Sequence, residues 1–329
     1  MAVDRAAVTG EAVLDLSLDG GGETRPAWYR LLAHLTRNRK AVIGLAILVT
    51  VGAAALLAPV LKPGSPTAFV DSPTLPPSLK HLLGTTGNGQ DVLQQLLWGG
   101  RISLSVAFTV GALTTSLSAI IGMGAAYLGG RGDAILTMLM NVFLLIPGLP
   151  LIVTLAIFLP PGAITIVLVL SFTGWAWPAR VMRAQALSLR ERDFVLAAVV
   201  TGERGWRVVL QEMLPNMWSI VVASFMGSTV YAIGAEASLE FLGLGNAHQV
   251  TWGTMLYWAE NHADLEQGAW WTFVPPGLAI ALVAFALTMC NYAMDEITNP
   301  RLRAVRDSMK RARRARWWPG ASRTARAPR

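Results

Sequence analysis

Long apolar runs separated by short polar breaks make up most of the chain. They fall at about 41–61, 102–127, 134–159, 163–186, 217–239 and 273–294, and each is long enough to cross a bilayer core as a helix. The first, Ala41 to Leu61, has 21 residues, about 31 Å at 1.5 Å per residue. An all-α polytopic membrane protein with six transmembrane helices is predicted. Small residues recur in the second run (Ser103, Ser105, Gly111, Ser116, Ser118, Gly122, Gly124) and predict close helix packing. Pro147 and Pro150 interrupt the third, where freed carbonyls mark a bend beside a pathway.

The longest polar interruption in the second half is Leu187 to Asn216, LSLRERDFVLAAVVTGERGWRVVLQEMLPN. Phe194, Ala197, Ala198 and Thr201 follow helical spacing, Gly202 breaks it, and Trp206, Val209, Leu210 and Met213 repeat it before Pro215. Two short amphipathic helices joined at a glycine are predicted. Arg180, Arg183, Arg190, Arg192, Arg204 and Arg207 lie in or just before this stretch, so the positive-inside rule sets it at the cytoplasmic face. An amphipathic hairpin there is suited to contact with another molecule.

Charge extends the same topology to the whole chain. Of 27 basic residues only Lys62, Lys80 and Arg101 fall on segments expected outside, so both termini are expected in the cytoplasm. The outer segment Asn246 to Trp270 has no Lys or Arg but holds Glu260, Asp264 and Glu266, and Trp252, Trp258, Trp270 and Trp271 suit an interfacial belt. Residues 1–40 read as a disordered tail and basic lead-in, 41–300 as the transmembrane domain, and 301–329 as a basic cytoplasmic tail. Eleven basic residues lie in that last tail; after a membrane span they fit an orientation signal near anionic lipid better than a nucleic-acid patch. The first apolar run fits a retained span better than a cleaved signal, given its length and its 40-residue leader.

Composition agrees: 53% of residues are hydrophobic and 14% charged, with mean hydropathy +0.47. The single cysteine, Cys290, forbids an intrachain disulfide. None of Lys40, Lys62, Lys80 and Lys310 follows a glycine, so no P-loop is present. His34, His81, His248 and His262 lack ligand spacing, so no metal site is expected, and no residue is assigned a catalytic role. Three intramembrane polar residues are candidates for a cavity or gate. Glu236 reads equally well as a gate residue and as a helix-packing carboxylate; Asn141 and Asn291 read first as interhelical hydrogen-bonding groups and second as ligand contacts.

With these residues in view the chain resembles the permease subunits of binding-protein-dependent ABC importers of the dipeptide/oligopeptide/nickel type. RNRKAVIGLAIL, HLLGTTGNGQDVL, GGRISLSV, AYLGGRGD, ARVMRAQALSLRERDFV, EASLEFLGLG, TWGTML and NPRLR carry the likeness. The hairpin resembles that family's Glu-Ala-Ala signature at Ala197, Ala198, Gly202, Leu214 and Pro215, with Leu196 in place of the glutamate; Gln90 stands where relatives have arginine. The resemblance implies a type I importer permease in the bacterial inner membrane. It also implies a second homologous permease, two cytoplasmic ATPase subunits that carry the ATP and Mg, and an external solute-binding protein. Phe194, Leu196, Ala197, Ala198, Gly202, Trp206, Leu214 and Pro215 would then couple to the ATPases. TTGNGQDV, GAWWTFVPPGL and NYAMDEITNPRLR look more like a branch associated with oligosaccharide as well as peptide uptake. From other classes, a self-sufficient channel or secondary transporter and a membrane enzyme using Glu236 are the alternatives.

Overall fold

The computed structural model describes residues 39–298; the tail and most of the lead-in expected before Arg39, and the basic tail expected from 301, lie outside the described residues. Among the described residues the regular structure is helical, with one isolated bridge between Thr85 and Asp91. The helices are α1 (Arg39–Leu56), α2 (Ala58–Leu61), α3 (Val92–Leu128), α4 (Gly130–Leu145), α5 (Gly148–Phe158), α6 (Ala163–Gly174), α7 (Ala176–Arg190), α8 (Asp193–Val200), α9 (Gly205–Arg207), α10 (Leu214–Phe241), α11 (Trp252–Asn261) and α12 (Trp270–Thr298), with a π-helical segment at Val208–Met213 joining α9 to α10. Four continuous helices are long and apolar enough to cross a membrane: α1, α3, Gly205–Phe241 and Trp270–Met294. The count rises to six if each of two bent pairs, α4 with α5 and α6 with α7, forms one span.

Proline explains both bends. Ile146 is extended, as a residue before proline tends to be, and Pro147 caps α5, so α4 and α5 meet at 86°. Pro150 sits harmlessly in the first turn of α5, where no N–H is needed. Pro178 cannot donate to the Gly174 carbonyl, and α6 bends into α7 by 43° at Trp175. The Trp175 carbonyl is doubly served, by the Ala179 N–H at 3.1 Å and the Ser118 hydroxyl at 2.7 Å.

Helix α3 is the axis of the fold, about 55 Å long at 1.5 Å per residue, and packs along α7 and α10, while α12 packs along α1 and α10. Small residues let these helices approach. A Cβ on Gly111 would strike Thr229, and one on Gly122 would strike the Ala179 carbonyl. Ser103 and Ser118 are fully buried as well, against Trp252 and the Trp175 carbonyl, whereas Ser105 and Ser116 are exposed and Gly124 has open space beside it. Only part of the small-residue pattern therefore serves packing.

The α3 helix begins at Val92, well before the apolar run. Asp91 caps it, accepting from the Gln94 N–H at 2.9 Å. Gln94 and Gln95, polar yet buried, donate to the Lys62, Pro63 and Pro66 carbonyls of the preceding loop. At this end Trp252 of α11 inserts against α3, donating from its ring to the Leu96 carbonyl at 2.9 Å while its backbone N–H donates to Ser103 Oγ at 3.1 Å.

Candidate functional site

At the opposite end of α3 lies the stretch 187–216. The sequence predicts two short helices; the structure corrects the second. Gly205 starts a helix that continues through the π-helical segment into α10 without a stop at Pro215. Proline lacks the N–H that would bond Gln211, and the wider π turn absorbs the defect: the Leu214 N–H reaches back to the Val209 carbonyl. The hairpin is thus one short helix, α8, folded against the root of a long one.

Helix α8 is held by few groups. Val195 is buried in a cluster with Met123, Ala126, Met182, Val208 and Met213, and Ala198 packs partly against it. The rest of its apolar surface is uncovered: Phe194 is 38% exposed, Leu196 50%, Val199 49% and Val200 86%, and Ala197 is exposed as well. Trp206, 55% exposed, extends the surface, with the Arg207 guanidinium 5.6 Å from its ring centre. Leu214 is half-buried against the cluster and Pro215 is exposed. This apolar face is left uncovered by the rest of the described residues.

Gly202 ends α8 in the left-handed region, φ +79°, with nothing within 4 Å of where a Cβ would stand. Its N–H donates to the Val199 carbonyl at 3.1 Å and the Glu203 N–H to the Ala198 carbonyl at 3.1 Å, the two bonds of a Schellman motif. The glycine is demanded by backbone conformation and not by space. Arginines brace the hairpin from behind. Arg183 forms a two-pronged pair with Asp133, both contacts 2.5 Å, and Arg190 Nη1 donates to the Ala126 carbonyl at 3.0 Å, capping the end of α3.

The helix breaks open a second feature, a cavity of about 620 Å³ walled by Trp177, Pro178, Ser224, Ser228, Tyr231 and Asn291 among others. Asn291 Oδ1 there has no hydrogen-bond partner. Asn141 is engaged instead by Arg180, whose Nη2 donates to Asn141 Oδ1 at 2.5 Å. Glu236 is 1% exposed in α10, and neither carboxylate oxygen has a partner. The three residues read as one group from the sequence therefore stand in three different settings.

Glu240, one turn beyond Glu236, was not singled out by the sequence reading, yet it ties α10 to α11. The Thr251 hydroxyl donates to Glu240 Oε2, and Thr251 forms a capping box with Thr254 at the start of α11. Gly245 and Gly253 leave room for the Glu240 side chain, since a Cβ at Gly245 would meet its Cγ at 2.6 Å and one at Gly253 its Oε2 at 2.5 Å. The only sequence signal was an i, i+4 pair of glutamates in an apolar run.

A bent-helix cavity and an uncovered apolar helix beside an arginine-rich end mark a multi-helix protein with helices apolar enough to span a membrane. Residues 116–304 match the family model of the binding-protein-dependent transport system inner membrane component, and residues 27–77 that of the N-terminal TM domain of oligopeptide transport permease C. The chain belongs to this family of ABC transporter permeases. It is 34% identical over 272 residues to a putative peptide transport system permease protein of Brucella abortus, covering 82% of this chain and 90% of the relative. With the dipeptide transport system permease protein DppC of Bacillus subtilis it shares 32% over 282 residues, 85% and 86% of the two chains. With the oligopeptide transport system permease protein OppC of the same organism it shares 28% over 278 residues, 84% and 90%.

Proposed function

We propose that the chain forms half of the translocation pathway of an ATP-driven importer of di- and oligopeptides, coupled to separate ATPase subunits through the 187–216 loop. The observation that carries this is the uncovered apolar face of α8, pinned by Val195 and ended by Gly202. In an ATP-driven importer a chain without a P-loop receives its energy from another, and this face is the surface suited to receive it. Leu196 on that face makes the joint apolar where the family signature has a glutamate. The names of the relatives support peptides as the cargo.

In this reading the chain makes six spans, with α4–α5 and α6–α7 each a bent span, in the bacterial inner membrane with both termini cytoplasmic. A second homologous permease completes the pathway, two ATPase subunits bind and hydrolyse ATP with Mg, and a solute-binding protein delivers cargo outside. The chain itself needs no cofactor. The cavity at the α6–α7 bend forms part of the solute-facing wall, with Asn291 and Tyr231 as polar contacts. ATP binding closes the ATPases, moves α8 and rocks the spans between inward-open and outward-open states.

The test is uptake by the complete transporter in proteoliposomes. Accumulation of labelled tri-alanine that requires both ATP and the ATPase subunits supports the reading. Uptake without the ATPases points to a channel or secondary transporter, and uptake of maltotriose in place of tri-alanine points to an oligosaccharide permease.

A further inference from the structure

The end of the molecule away from α8 holds a polar pocket that the coupling mechanism does not use. It has two adjoining parts that share Asn88, Gln90, Gln95, Met255 and Trp258 as walls. The wider part, about 290 Å³, is bounded further by His248, Gln249 and Thr254. The narrow part is a void of about 10 Å³ reaching His262, Asp264 and Thr272, the size of a single water or ammonium group.

Asp264 is 1% exposed, and neither of its carboxylate oxygens has a hydrogen-bond partner; His262 Nδ1 beside it also has none. The surroundings fix this arrangement. The His262 ring stacks on Trp258, centres 5.4 Å apart, and Gly87 of the opposite loop lies against it so closely that a Cβ there would come within 2.6 Å. Ala263 takes a left-handed turn, φ +53°, and the Asp264 N–H bonds the Ala259 carbonyl at 3.0 Å. Among the described residues no Lys or Arg lines either part of the pocket. A buried carboxylate with no donor is costly and calls for a partner that brings both N–H groups and positive charge. Burial pushes the Asp264 carboxyl up, against the weaker pull of the nearby Thr272 hydroxyl, whose hydrogen goes to the Ala269 carbonyl at 2.9 Å, and of His262; an arriving cation would draw it back down.

We infer that this pocket is a subsite for the protonated amino terminus of the cargo peptide, with Asp264 as counter-ion and the carboxamides of Asn88, Gln90 and Gln95 toward the peptide backbone. The inference rests on the peptide reading above. Gln90 is already oriented: its Nε2 donates to the Thr67 carbonyl at 3.0 Å, and its Oε1 accepts from Gln95 Nε2 at 2.6 Å. An arginine here would place a positive charge in the pocket wall, opposing an ammonium group.

The experiment is equilibrium dialysis of labelled tri-alanine against the purified permease–ATPase complex in nanodiscs without the binding protein, with N-acetyl-tri-alanine as control. Asp264→Asn keeps the shape and removes the charge; Asn88→Lys, at an exposed loop position, keeps the fold and sets a cation at the mouth. Tri-alanine binding weakened about tenfold or more in both variants, the scale of one lost charge-assisted contact, with N-acetyl-tri-alanine bound no better by wild type than by Asp264→Asn, supports the subsite. Should Asp264→Asn not assemble, Asn88→Lys alone decides. Equal binding by wild type and variants, or no binding by wild type, overturns the subsite while leaving peptide transport intact. Absence of ATP-driven tri-alanine uptake in the reconstituted transporter instead overturns the peptide reading itself.

Discussion

The two ends of α3 are built on opposite principles. At the Val92 end the loops satisfy themselves: Lys62 and His81 both reach Asp91, at 3.2 and 3.1 Å, Lys80 reaches Asp71 at 2.5 Å, and the rings of Trp98, Trp252 and Trp271 donate to backbone carbonyls. At the Leu128 end α8 hangs from one buried valine and turns an apolar face outward. The first end is stitched together by its own polar groups except at the recess around Asp264. The second leaves its apolar face uncovered, the face on which the proposed ATPase contact rests. Polar stitching fixes a shape in water, whereas an apolar face on a thinly anchored helix suits a joint that moves with what it grips.

The largest expected effect comes from breaking the joint. Gly202→Val puts a β-branched residue at φ +79°, a conformation costing at least about 1–2 kcal/mol, although open space surrounds the site. Uptake by the reconstituted transporter should be lost while the chain still reaches the membrane. Wild-type uptake by that variant counts against the coupling role of the turn.

The smallest expected effect comes from titrating the stitched end. Hydrogen bonding to Lys80 first, and the Ser72 backbone next, hold the Asp71 carboxyl down to about 2. Burial would push Asp91 up, but the Gln94 N–H, His81 and Lys62 outweigh it and the carboxyl lies below its usual range. Carboxylates lowered on folding stabilise the segment above about pH 4, their value in the unfolded chain, and that contribution disappears as pH falls from there through about 2. Hydrogen-exchange protection over residues 62–91, the measured rate set against the intrinsic rate at each pH, should therefore not decrease between pH 7 and 5 and should fall below pH 4. Loss of protection already between pH 7 and 5, where neither carboxylate titrates, would contradict the assignment.

Hydropathy located the four long apolar helices and the two bent pairs because lipid imposes one simple requirement, an apolar surface over a fixed length. It did not locate their ends. Val92 to Arg101 continue α3 because the loop around Lys62 and Pro66 covers Gln94 and Gln95, a tertiary effect with no local signature. Gly202 was legible because a glycine after an apolar run has one common structural use. The fusion of the second hairpin helix with α10 was not: Pro215 reads as a stop, and only the π segment, set by packing of Val208 and Met213, carries the helix through it. Asp264 was visible as charge alone. Its burial depends on the turn at Ala263 and on Gly87 pressing from a loop more than a hundred residues away in sequence.

The central claim is that the exposed face of α8 is the ATPase joint, and a cross-link tests it most directly. Cys290 is buried, so Leu196→Cys would add the one accessible thiol among the described residues. Treated with a short bifunctional thiol-to-amine reagent, the complete complex carrying this variant should yield a product joining this chain to an ATPase subunit, with a yield that changes when ATP is bound. Cross-links only to the partner permease, or none to an ATPase in a complex that still transports, would contradict the account.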